Sequence, residues 1–142
     1  MYSIGDLSKR TGVKIPTIRY YEQMGLIAAA DRSSGNQRRY TKDGLARLSF
    51  IRHARDLGLS LADIHELVDL SHAPDRPCAE AHSITARHLE TINAKLQRLR
   101  NLQRELKRIA ALPDDGTVGA CSVIQALADH ALCETDHKPI QA

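Results

Sequence analysis

The sequence contains no tryptophan and a single phenylalanine, and aromatic residues make up only 4% of its 142 positions. That is too little aromatic material for the core of a β-sandwich, whereas helices need none. No apolar run approaches the ~20 residues of a membrane span, and no basic stretch leads into an apolar one at the N-terminus, so a cytoplasmic protein is expected. The three cysteines, Cys78, Cys121 and Cys133, are odd in number. In a reducing compartment they suggest metal or redox chemistry, or simple burial, rather than a disulfide framework. Nor is there a phosphate-cradling glycine-rich loop, or a nucleophile, base and orienting partner in recognisable spacing, and an enzyme is not expected.

What is present is helical patterning and a lopsided charge. The formal net charge is +3. Residues 1–70 hold 11 Lys or Arg against 8 Asp or Glu, and the remainder holds 9 against 9, so the positive excess lies wholly in the first half. Length allows one small domain followed by an extended element.

Ser3 is placed to cap a short helix over Ile4 to Lys9, and Thr11-Gly12-Val13 makes a turn. Pro16 suits the first turn of a second helix through Glu22, which Gly25 ends. Helix, tight turn and helix within about 20 residues is helix-turn-helix spacing. Residues 28–37 read as a loop from which Arg38-Arg39-Tyr40 emerges as part of a short hairpin, a wing. Thr41 caps a third helix with Leu45, Leu48 and Ile51 on one face, and Gly58 stops it. Ser60 caps a fourth helix carrying Leu61, Ile64, Leu67 and Val68.

Two prolines between Ser71 and Pro77 bar a continuous helix there, so the expected organisation is a head over 1–70 and a linker over 71–78. From 79 to 111 there is neither Gly nor Pro, and Leu89, Ile92, Leu96, Leu99, Leu102, Leu106 and Ile109 recur at gaps of three and four. This predicts one helix of about 30 residues, ~45 Å long. Its narrow apolar stripe is best covered by a second copy of itself; the alternative is packing against its own head. Residues 112–142 would then hold a loop, a short helix from Ser122 to His130 and a polar tail.

Three stretches, TIRYYEQMGLI at 17–27, RRY at 38–40 and FIRHARDLGLSLADIHELV at 50–68, resemble the MerR family of transcription regulators. The resemblance implies a mainly α fold: a winged helix-turn-helix, a long helix that pairs antiparallel with its partner's in a homodimer, and a short C-terminal metal-binding segment. It also implies that double-stranded promoter DNA is held in both repressing and activating states. An effector then changes the twist and bend of that DNA so that RNA polymerase can engage it.

Within that frame Thr17, Arg19 and Tyr20 on the second helix are the candidates for base and phosphate contact, since Arg can grip guanine with two parallel hydrogen bonds. Lys14 in the turn and Arg38, Arg39 and Tyr40 in the wing are candidate phosphate anchors, with packing the alternative for Tyr40. Arg52 and Arg55, beside His53, are further backbone candidates, and Ser60 marks a helix N-terminus that offers amides to a phosphate.

For the sensor, Cys78 and His82 stand four residues apart, one helical turn, and their thiolate and imidazole suit a single ion. In metal-sensing members that this chain resembles, a cysteine at the place of Cys78 marks sensors of divalent ions. Zinc is therefore the first expectation, with cadmium, lead and mercury beside it. Cys121 opens CSVIQALADH, similar to the family's metal-loop helix, while Cys133 with His137, and His130 three residues before it, complete the candidate ligands. One departure is plain: the cysteine that zinc and mercury sensors usually carry after the long helix is replaced here by ALPDDG, with Asp114 and Asp115. A thiol sensor of oxidants or aldehydes, working without metal, is the alternative; the dense cysteine cluster of iron–sulfur relatives is missing.

Overall fold

A computed structural model of the chain describes residues 1–129. The elements are β1 (Tyr2–Ser3), α1 (Ile4–Thr11), α2 (Ile15–Gln23), β2 (Asp31–Arg32), β3 (Arg38–Tyr40), α3 (Lys42–Asp56), α4 (Leu61–Ser71), α5 (Ala79–Ala110) and α6 (Ser122–Ala128), with a 3-10 turn at Val118–Ala120. The chain forms two compact units, the first from Met1 to Ile84 and the second from Thr85 onward.

Local chemistry sets the helix ends of the first unit. Ser3 caps α1 through a reciprocal pair: its hydroxyl accepts the Asp6 amide at 3.1 Å, and its own amide donates to the Asp6 carboxylate at 3.0 Å. Gly12 closes α1 in the left-handed region, φ 75°, and its amide donates to the Ser8 carbonyl. α2 carries Pro16 in its first turn, where no amide is needed. Thr41 and Ser60 cap α3 and α4, accepting the amides of Gly44 and Asp63, each at 3.1 Å.

The sheet has the order β1-β3-β2, both pairs antiparallel, with Tyr2 opposite Tyr40 and Arg32 opposite Arg38. β2 and β3 form the expected hairpin. Its tip is folded by Ser33, whose amide donates to the Gln37 carbonyl at 2.7 Å, and by Asn36 at φ 62°. β1 was not expected, because a two-residue strand has no periodicity to read.

The core of this unit joins all its helices. Leu7 of α1, Ile18 of α2, Leu26 of the following turn, Tyr40 of β3, Leu48 and Ile51 of α3 and Ile64 of α4 are all fully buried. Each such side chain contributes about 1.5–3 kcal/mol relative to exposure. Ile84 of α5 joins the same cluster. After α4 the chain turns through residues 72–78, and an Arg76–Glu80 ion pair spans the entry to α5.

In the second unit α5 runs without interruption to Ala110, one residue short of the expected end. Ile109 and Ala126 are buried, and so is Glu105, whose carboxylate pairs with Arg108 at 2.6 Å. Leu89, Leu96, Leu99 and Leu106 are instead 42–59% exposed, and Leu99, Leu102 and Leu106 line a shallow apolar groove. No helix among the described residues is long and apolar enough to cross a membrane.

Candidate nucleic-acid interface and metal ligands

α2 presents two faces. Ile18 and Tyr21 turn into the core, so their neighbours Arg19 and Tyr20 are carried outward and exposed, with Thr17 half-buried between the faces. Lys14, the N-cap residue, is exposed and makes no side-chain cap bond. Arg19 shares a cleft of about 320 Å³ with Arg38 and the wing residues Asn36 and Gln37, closed on the other side by Ser3, Ile4 and Gly5. A helix face and a wing therefore bring two guanidinium groups to one concavity, an arrangement suited to a phosphate-rich partner.

The remaining candidates divide. Arg39 is half-buried, and its carbonyl accepts the Ala30 amide at 2.9 Å. Tyr40 is not a surface anchor: it is wholly buried and its hydroxyl donates to the Glu22 carboxylate, so the packing alternative describes its side chain. The other carboxylate oxygen of Glu22 receives Arg38 Nε at 3.0 Å.

Arg52 donates to the Thr11 carbonyl over the turn at Gly12 and pairs with Asp56 at 3.5 Å. Arg55 Nη1 donates to the Leu59 carbonyl at 2.9 Å. Both arginines thus fasten backbone at the ends of helices, work that spacing along α3 does not announce. His53 is exposed, and the Ser60 hydroxyl is engaged as a cap. Neither Glu22 nor Gly12, which organise these contacts, is marked as functional by its residue type or spacing. The signal for Glu22 in the sequence is that it is the one carboxylate of α2.

Cys78 is exposed directly before α5, and the His82 amide donates to the Cys78 carbonyl at 3.1 Å, which sets the two residues one turn apart as their spacing predicts. His82 is exposed. Cys121 is a half-buried free thiol at the N-cap of α6, where its side chain caps no amide. Asp114 and Asp115 are exposed in the intervening loop. His130, Cys133 and His137 lie outside the described residues. Among the described residues no three His, Cys, Asp or Glu side chains gather within reach of one ion. The donor types are those a thiophilic ion takes: a thiol and an imidazole within one turn, and a second free thiol.

A family profile described as MerR HTH family regulatory protein matches residues 2–70, and one described as MerR, DNA binding matches residues 45–109. The HTH-type transcriptional regulator ZntR of Escherichia coli (strain K12) is 38% identical over 134 residues, spanning 89% of this chain and 92% of that protein. The regulator HmrR of Sinorhizobium medicae is 34% identical over 126 residues, 89% of this chain and 86% of that protein. Among solved structures, the transcription regulator PbrR691 from Ralstonia metallidurans CH34 in complex with lead(II) superposes with a TM-score of 0.79 at 34% identity. That match covers 89% of this chain and 99% of the other.

Proposed function

This chain belongs to the MerR family of transcription regulators, and from that premise we propose that it is a homodimeric DNA-binding regulator switched by a thiophilic divalent metal ion. The observation that carries the DNA half is the cleft shared by Arg19 of α2 and Arg38 of the wing, beside the exposed Tyr20 and Lys14. Double-stranded promoter DNA is the partner this surface suits. Arg19 and Tyr20 reach into a groove, while Lys14 and the wing hold phosphates and set register.

Dimerisation is supported by the exposed leucines of α5, which a second antiparallel copy would cover. The ion is zinc, or the heavier cadmium, lead or mercury. Cys78 with His82 begins its ligand set, and Cys121 of the partner subunit, with Cys133 and the nearby histidines or carboxylates, completes it. The lead(II) complex of a 34% identical relative supports this class of ion.

The mechanism follows from energetics. Bending or untwisting a site of 20–30 base pairs costs on the order of 1–6 kcal/mol, which the protein's DNA contacts offset. An ion that braces the two subunits needs only to shift that balance for RNA polymerase to engage the promoter, and the gene served is one for metal efflux or detoxification in the cytoplasm.

The test uses reduced protein and a duplex that it recovers from a randomised double-stranded pool. Zinc or cadmium should bind tightly and stoichiometrically and alter the footprint without releasing the DNA, and Cys78→Ser and Cys121→Ser should abolish the metal response but not DNA binding. Dissociation of the metal-bound protein from its duplex would overturn the switching scheme. A promoter fusion deaf to metal salts but answering peroxide or aldehydes would replace the ion by thiol chemistry.

A further inference from the structure

The geometry points to Glu22 as a positioning residue that locks the wing to the recognition helix and so holds the two halves of the DNA-binding surface in register. This rests on the DNA-binding reading above and adds a role for a residue that touches no DNA in it.

Residues two apart on a strand share a face. Arg38 and Tyr40 of β3 accordingly reach the same carboxylate, one to each oxygen: Arg38 Nε to Oε2 at 3.0 Å, and the Tyr40 hydroxyl to Oε1. Arg39, on the opposite face, takes no part. Glu22 lies in the last turn of α2, three residues beyond Arg19, so the two lie along one side of the helix. A single side chain therefore joins the helix that carries Arg19 to the strand that carries Arg38, and these two arginines line one cleft.

The wing needs such a brace. β2 has two residues and β3 three, too few ladder hydrogen bonds to fix the angle of the hairpin by themselves. Pairing with β1 involves only Tyr2 and Ser3. The Glu22 side chain is 14% exposed and that of Arg38 37%. Solvent therefore screens this charge-assisted bond less than an ordinary surface pair. Its carboxylate also offsets one of the two like charges brought to the cleft, so Arg19 and Arg38 can stand close before any phosphate is present.

The experiment measures binding of the full-length protein to the duplex recovered from the randomised pool, across a salt series, together with a hydroxyl-radical footprint and the thermal midpoint of the free protein. Glu22→Gln leaves one acceptor oxygen where there were two. The expected result is about tenfold weaker binding, with protection of the deoxyribose backbone lost under the wing and kept under α2. Because Glu22 acts through Arg38, the same substitution placed on Arg38→Ala should cost less than about twofold more. Additive losses, or a Glu22→Gln footprint identical to that of the parent, would overturn the proposal. If Glu22→Gln does not fold, Arg38→Lys keeps the charge but lacks the Nε donor. It should show the same loss of wing protection, and an unaltered footprint would overturn the proposal equally. Failure of the parent protein to recover any duplex would instead remove the DNA-binding reading itself.

Discussion

Gly12 turns the chain between α1 and α2 at φ 75°, with the Arg52 guanidinium lying over the place a side chain would occupy. Gly12→Ala therefore meets both backbone strain and a displaced arginine, and should cost about 1–3 kcal/mol in urea unfolding. At the start of the same helix, the Ser3 amide and then the Ser3 hydroxyl hold the Asp6 carboxyl below its ordinary value of 3.8. A folded pKa lowered in this way stabilises the native state at pH values above the unfolded value, and that stability is lost as pH falls through the folded one. Asp6→Asn should accordingly narrow the difference in urea midpoint between neutral and strongly acidic solution, and an unchanged acid limb would contradict the cap. Of these residues the sequence shows the caps well, because Ser3, Thr41 and Ser60 act within three positions. It hides Tyr40, Arg52 and Arg55, whose side chains could equally face solvent until the partner on another turn or element is known. Glu22, 18 positions from the hydroxyl it accepts, is the extreme case.

Among the elements, the helices were legible because gaps of three and four in apolar residues, with glycine and proline at the breaks, mark them over many positions. α1 runs two residues beyond its expected end at Lys9, since the stop is the left-handed Gly12 itself. α6 ends at Ala128, before the expected His130. β1 and the 3-10 turn are too short to leave a pattern. α5 is the element on which the most rests. Leu99 and Leu106 stand seven residues apart, two turns, on the face that stays exposed in one copy. Leu99→Glu with Leu106→Glu should yield monomer in sedimentation equilibrium at micromolar concentration, where the parent should sediment as a dimer. Circular dichroism should still report the helices of the first unit, whose core these residues do not enter.

At the scale of the whole molecule, the first unit holds Cys78 and the second holds Cys121. A site built across two subunits makes a sharp demand on mixed dimers. Pairing a Cys78→Ser subunit with a Cys121→Ser subunit regenerates one intact site, so differentially tagged heterodimers should bind half the zinc of the parent dimer. A site contained within one subunit would leave them with none, which metal analysis of the purified heterodimer distinguishes. Cys78 and His82 stand out as candidate ligands by residue type and spacing, and Cys121 by the resemblance of its segment, but spacing along one chain says nothing of which ends meet when two chains associate. Until a newly made chain finds its twin, much of the greasy side of its longest helix stands in water. Copy number thereby enters the folding equilibrium. A chain without its twin should be cut by protease faster than the paired one, and the melting temperature of the purified protein should climb as its concentration is raised.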